Sequence, residues 1–415
     1  MVAVVFVVPY ALETTLRFVR AAAELDGVSL GVVSQEPGER IVRALSKGAE
    51  NGSRLVAFER VSDALDPQAL AAGVRAVARG LGGRVDRLIG VLEQLQEPLA
   101  QVREQLGIRG MDGGEACNFR DKARMKDILR ANDLPCARHA LARSAEEARA
   151  FAATCLPLVA KPPAGAGARN TQRIDRDEEL DAYLRAFPPS DHDPLLLEEF
   201  IQGKEHSFDS VTVAGRPVFH SISRYTPTPL EVMENPLLQW CVVLPRNIDG
   251  DEYDDIRRAG ARALHVLGMV TGLTHMEWFR RPDGSLAISE VAARPPGAQF
   301  TTLLSYAHDF DFYRAWARLS VFETFDPPPR DYAVGALFLR ASGSGTGPVR
   351  AVKGVEAAQR ELGDLVCEAR LPRPGAPRAD TYEGEGYVIL RHPETAAVEA
   401  GLQRLNELVR IELEG

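Results

Sequence analysis

The first hundred residues alternate between short apolar runs and amphipathic stretches. VAVVFVV (2–8), SLGVVS (29–34), RLVAF (54–58) and RLIGVL (87–92) have the length and apolar continuity of strands buried on both faces. TLRFVRAAAEL (15–25), PQALAAGVRAVARGL (67–81) and EPLAQVREQLG (97–107) carry the helical period between and after them. Strands alternating with helices of this length predict a parallel sheet with helices on both faces. No GxGxxG follows the first strand, so this unit reads as a scaffold or a cleft wall.

From about residue 111 to 325 the pattern becomes helix, strands, a glycine-rich loop and two long alternating stretches. The last part begins with the strand-like AVGALFLRAS and passes through two Gly/Pro-rich regions. It closes with YVILRH and the helical TAAVEAGLQRLNELVR, a small α+β unit. The expected division is 1–111, 112–330 and 331–415, with a smaller lid at about 136–205.

Composition narrows the picture only at its edges. The chain has 415 residues, a net charge of −9 and an ordinary 45% of apolar residues. An acidic balance argues against a nucleic-acid surface, and no stretch suggests a bilayer span or a secretory signal, so no membrane partner is expected. Five cysteines, odd in number and without a CxxC pair, fit reduced thiols in a cytoplasm. Only six lysines (47, 122, 126, 161, 204 and 353) accompany 43 arginines, which directs attention to lysines in special contexts.

Lys161 has such a context. It ends the strand LPLVAK and precedes PPAGAGARNT, after which QRI resumes a strand. Gly165 and Gly167 free the backbone and Ala166 stays small, so the loop's N–H groups can cradle phosphate oxygens; a plain hairpin tip fits the loop as well. In LLLEEFIQGKEHSFDSVTV, backbone groups around Glu199–Ile201 could meet an adenine edge, and Glu205 could accept ribose hydroxyls. In THMEWFRRPDGSLAISEVAARPPG, Asp283-Gly284 predicts a hairpin turn. Alternation puts His275, Glu277 and Phe279 on one face of the first strand, and Glu290, Ala292 and Arg294 on one face of the second. Two carboxylates with an arginine beyond suit magnesium and phosphates, although a cross-strand Glu–Arg pair has the same pattern.

Taken in order, these segments resemble the ATP-grasp superfamily over about residues 112–310. RDKARMKDILRANDLPCARHA is similar to the helix whose first lysine, here Lys122, binds nucleotide phosphates. LPLVAKPPAGAGARNT resembles the second lysine, Lys161, with its lid loop at Gly165, Ala166 and Gly167. EEFIQGKE resembles the adenine hinge, Glu198, Glu199, Phe200 and Ile201, with Glu205 in the ribose position. Glu277 and Glu290 stand where the family places metal carboxylates, and Arg294 where it places the catalytic arginine.

The resemblance implies an α/β ATP-grasp fold with an N-terminal Rossmann-like parallel domain and a small α+β C-terminal subdomain. It implies ATP and Mg2+ as cofactors, with Mn2+ a substitute. It also implies a cytoplasmic carboxylate–amine ligase working through an acyl phosphate, similar to L-amino-acid ligases, on small-molecule acids and amines. Relatives are often homodimers, but the sequence defines no interface. A biotin-carboxylase-like activity and an inactive ATP-binding regulator are the alternatives. Ala292 departs from the family, which usually has Asn there, and leaves one metal ligand unassigned. Glu234, Gln239 and Trp240 lie where such enzymes recognise substrate.

Overall fold

The computed structural model describes residues 1–46, 55–165, 170–341 and 345–415. Strands β1 (Val2–Val8), β2 (Val28–Ser34), β3 (Leu55–Arg60) and β4 (Arg87–Ile89) form a parallel sheet in the order β3-β2-β1-β4. Helices α1 (Glu13–Ala23), α2 (Gly38–Ser46), α3 (Pro67–Gly80) and α4 (Gln96–Leu106) flank it. Alternate residues of β1 enter different cores, as the continuous apolar run requires. Val4, Phe6 and Val8 pack with α1 and α2, whereas Val5 and Val7 pack with α3 and α4. Asp66 caps α3 by accepting from Ala69 N–H at 2.7 Å, and Pro67 occupies the first turn where no amide is needed. A Cβ on Gly31 of β2 would lie 2.2 Å from a Val77 methyl, so this glycine sets how closely α3 approaches.

Helices α5 (Gly113–Arg120) and α6 (Lys122–Ala131) lead into a four-stranded antiparallel sheet. Its strands are β5 (His139–Ala142), β6 (Leu158–Lys161), β7 (Gln172–Ile174) and β8 (Leu195–Glu199), ordered β5-β8-β6-β7. Helices α7 (Ala145–Ala152) and α8 (Asp177–Ala186) cover its apolar face. β6 and β7 pair Leu158 with Ile174, the return strand expected after the glycine-rich loop.

The large sheet is antiparallel and has eight strands. Its members are β9 (Lys204–Val213), β10 (Arg216–Thr226), β11 (Trp240–Leu244), β12 (Gly272–Arg280), β13 (Leu286–Ala292), β14 (Ala333–Leu339), β16 (Val366–Arg370) and β17 (Gly386–His392). Between β14 and β16 runs β15 (Val349–Lys353), which pairs instead with β18 (Arg410–Leu413). The order is β13-β12-β9-β10-β11-β14-β17-β16. Thus the final segment, expected to form a small unit of its own, continues the same sheet through β14, β17 and β16. Helices α9 (Pro229–Glu234), α10 (Asp254–Leu267), α11 (Phe300–His308), α12 (Phe312–Phe322), α13 (Val355–Leu362) and α14 (Thr395–Leu408) complete the chain. α10 closes one face over Phe208, Met276 and Trp278. On the opposite face Glu205, Ser207, Asp209, His275 and Glu277 stand together, and that face carries the site.

Candidate active site

Two lysines enter from α6. Asp121 caps this helix by accepting from Ala123 N–H and Arg124 N–H, which fixes Lys122 at the first helical position and Lys126 one turn on. Both are buried. Lys122 Nζ lies 2.8 Å from the Glu290 carboxylate and donates to Gly165 O at 3.1 Å. Arg120 donates to the Gly165 and Ala164 carbonyls, so the start of the glycine-rich loop is fastened over the α5–α6 junction. Ala166 and Gly167 lie outside the described residues.

Lys126, which sequence reasoning passed over, pairs with Glu198 at 3.2 Å, and Lys161 holds the other oxygen of Glu198 at 2.9 Å. Burial pushes the Glu198 carboxyl up, yet the two ammonium groups overcome it and hold it below its ordinary value. Lys126 is pushed down by burial, whereas at Lys161 the nearby Glu198 and Glu290 outweigh burial and raise it. The side chain of Glu198 therefore braces the lysines. Glu199 points the opposite way, toward Arg138 and Arg281. The amides of Glu199 and Phe200 are bonded to Arg138 O and Pro157 O, so a base at this hinge would be met by the Ile201 amide or by carbonyl oxygens. A cleft of about 310 Å3 opens on the hinge between Glu199–Gln202 and the Arg281–Asp283 turn.

The hairpin forms around Asp283-Gly284, with Gly284 at φ 84° and Asp283 accepting from the Ser285 amide and hydroxyl. Its register places Glu277 directly opposite Glu290, and His275 opposite Ala292. The ladder shifts by one residue at Ser289, a bulge that turns the Ser289 carbonyl to Lys126. Burial raises Glu290, but Lys122 and Lys161 pull it down to about 2. Arg294, just past β13, is half-buried and pairs with Glu93, which also pairs with Arg120 at 3.5 Å. Glu93 sits in the turn after β4, so the N-terminal unit contributes directly; nothing in its local sequence, LEQLQ, marks it.

Behind Glu277 lies a buried polar network. His275 Nδ1 is 2.6 Å from Asp209 Oδ1, and His275 Nε2 is 3.7 Å from Glu277. Asp209 also accepts from Ser207 Oγ at 2.8 Å. Burial alone would lower His275, but Asp209 and Glu277 raise it to about 9, which favours the protonated ring. Glu205, on the same face, is raised well above its ordinary value by burial and by Glu277. Ala292 opposite His275 adds no oxygen, and among the described residues no three His, Cys, Asp or Glu side chains cluster as a metal site. Two carboxylates on registered strand positions have the chemistry to hold a divalent cation, and Lys122 pairs with one of them, Glu290.

The segment before β11 turns out largely structural. Gln239 exchanges two hydrogen bonds with the Arg340 backbone, and Trp240 is buried among Tyr225, Phe338 and Tyr382. Glu234 lies against the Arg173 backbone of β7, joining α9 to the smaller sheet.

Residues 127–308 match the family model of the ATP-grasp domain. That stretch is similar to the ATP-grasp domain. The L-arginine-specific L-amino acid ligase of Bacillus subtilis is 24% identical over 249 residues, covering 58% of this chain and 59% of that protein. The chain thus aligns with somewhat over half of that relative's length. Across the whole chain, the L-amino acid ligase from Bacillus licheniformis superposes with a TM-score of 0.76 at 18% identity, covering 100% of this chain and 99% of that one. The carboxyaminoimidazole ribonucleotide synthase from Aspergillus clavatus, complexed with ATP, superposes with a TM-score of 0.70 at 16% identity over 98% of both chains. These likenesses extend the fold beyond the matched domain to both ends. No helix among the described residues is long and apolar enough to cross a membrane.

Proposed function

We propose that the chain is an ATP-dependent carboxylate–amine ligase acting on amino acids or related small acids. The observation that carries this reading is the convergence of Lys122, Lys161, Glu277, Glu290 and Arg294 on one face of an ATP-grasp domain. ATP would lie between the smaller sheet and β9–β12–β13, its phosphates drawing Lys122 away from Glu290 and Lys161 partly from Glu198. Glu205, buried on the same face, would accept from the ribose hydroxyls. A divalent cation held by Glu277 and Glu290 would neutralise charge on the phosphates.

The substrate carboxylate takes the γ-phosphoryl group, giving an acyl phosphate and ADP. An amine then attacks the acyl carbon and phosphate leaves. Arg294, held by Glu93, stabilises the charge that develops on the transferring and departing phosphoryl oxygens. The chain's contribution is mostly positioning and a preformed field, because the acyl phosphate is intrinsically reactive.

The test is Mg·ATP turnover on paired amino acids and small acids, scoring ADP and phosphate. Release that needs both an acid and an amine supports the reading, whereas AMP and pyrophosphate would overturn it. Lys161→Ala and Glu290→Ala should each lower turnover by about 10²–10³-fold. Lys353→Ala, an exposed control, should leave it unchanged.

A further inference from the structure

The carboxylate face lacks an oxygen at Ala292, and the residue registered against that position is His275. Its ring is fixed from behind. Nδ1 lies 2.6 Å from Asp209 Oδ1, and an ionised carboxylate can only accept, so Nδ1 carries its proton. Asp209 is held in turn, accepting from Ser207 Oγ at 2.8 Å, and Ser207 shares a 2.6 Å hydrogen bond with Ser223. All three are fully buried. Phe300, the first residue of α11, packs against the ring with centroids 5.3 Å apart.

The other ring nitrogen is poorly provided for. Among the described residues, the polar contacts of Nε2 are the Tyr225 hydroxyl at 3.5 Å and the Glu277 carboxylate at 3.7 Å, both longer than a good hydrogen bond. A buried imidazole is thus anchored through one nitrogen and turned with the other toward Glu277. Metal-bound imidazoles are usually held in this way. The far nitrogen donates to a carboxylate, which fixes the tautomer and makes the near nitrogen a stronger ligand.

We propose that His275 Nε2 is a ligand of the divalent cation held by Glu277, filling the coordination position that Ala292 leaves open. This rests on the metal assignment in the reading above. Neighbouring ligands of an ion bound at about 2.1 Å stand about 3 Å apart, so a small rotation of either side chain brings the 3.7 Å pair to that span. The Nε2 proton passes to solvent as the ion arrives, and Asp209 keeps the Nδ1 proton in place. The cation also engages the Glu277 charge that otherwise favours the protonated ring. Phosphate oxygens and water complete the shell, as is usual for divalent ions on nucleotides. A nitrogen ligand shifts selectivity away from Mg2+, which prefers oxygen, toward later ions such as Co2+.

Mn2+ bound to the full chain with ADP provides the test, because pulsed electron paramagnetic resonance detects a directly bonded nitrogen and needs no turnover. Chain labelled with 15N at histidine should show one such coupling. His275→Asn, which returns an oxygen, should still bind Mn2+ but lose the coupling, with His275→Gln in its place should that variant not fold. Displacement of the Mn2+ gives a second readout. The ratio of Mg2+ to Co2+ concentrations that displace half of it should fall at least fivefold in the variant. Mn2+ bound without a histidine coupling, a coupling that persists in the variant, or an unchanged ratio overturns the assignment and leaves the ligase reading standing. If the unmodified chain with ADP takes up no Mn2+, the metal assignment of Glu277 and Glu290 fails, and that of His275 with it.

Discussion

β1 and β9 are both central strands of their sheets, yet they are built on opposite principles. In β1 the side chains from Val4 to Val8 enter apolar cores, on one face with α1 and on the other with α3. In β9 only one face is treated so: Phe208 lies under α10, while Glu205, Ser207 and Asp209 line the opposite face in the interior. A parallel sheet covered on both faces has no place for charge, whereas an antiparallel sheet can commit one face to polar chemistry. The first sheet therefore has an apolar interior on both sides, whereas the second keeps one polar face, which Glu93 from the turn after β4 reaches through Arg294.

Substitutions can break this contrast. The largest effect is expected at Asp209→Ala, which leaves His275 buried without its partner. It should cost about 3–5 kcal/mol in denaturant unfolding and also lower turnover, because His275 no longer braces Glu277. Phe6→Ala should cost a similar 3–5 kcal/mol through its cavity, but turnover per folded molecule should not change. If Phe6→Ala shifted the KM for ATP, the two sheets would not be separable in this way.

A smaller effect is expected on acidification. The folded-state carboxyl of Glu198 lies below its ordinary 4.5, so the stability it confers is complete above 4.5 and is lost as pH falls from there through the lower folded-state value. Urea midpoints measured from pH 7 downward should therefore fall more steeply below about pH 4.5 for the natural chain than for Glu198→Gln. The smallest effect belongs to the exposed Arg404–Glu361 pair, where Arg404→Ala should leave the melting temperature unaltered.

What could be read in advance followed the local signals. The alternation of β1 to β4, the Asp283-Gly284 hairpin and the face shared by His275 and Glu277 are written in periodicities of two and 3.6 and in one turn dipeptide. Lys126 was within reach, being one helical turn from Lys122 in a chain with few lysines. Glu93 and Asp209 were not, because each owes its place to a partner far along the chain: Arg294 and His275. The one-residue shift at Ser289 was equally hidden, since a bulge is a property of two strands together.

The pairing of β11 with β14 has a consequence for how the chain is made. Leu244 finds its register partner only at Val334, so a nascent chain leaving the ribosome carries β11 as a bare edge until the last fifth of the chain begins to emerge. Translation arrested near residue 325 should yield a chain whose β11 region is cut readily by protease, while β1 to β4, already complete, resist. The final segment is thus the keystone of assembly, set last and bearing on strands laid down long before it.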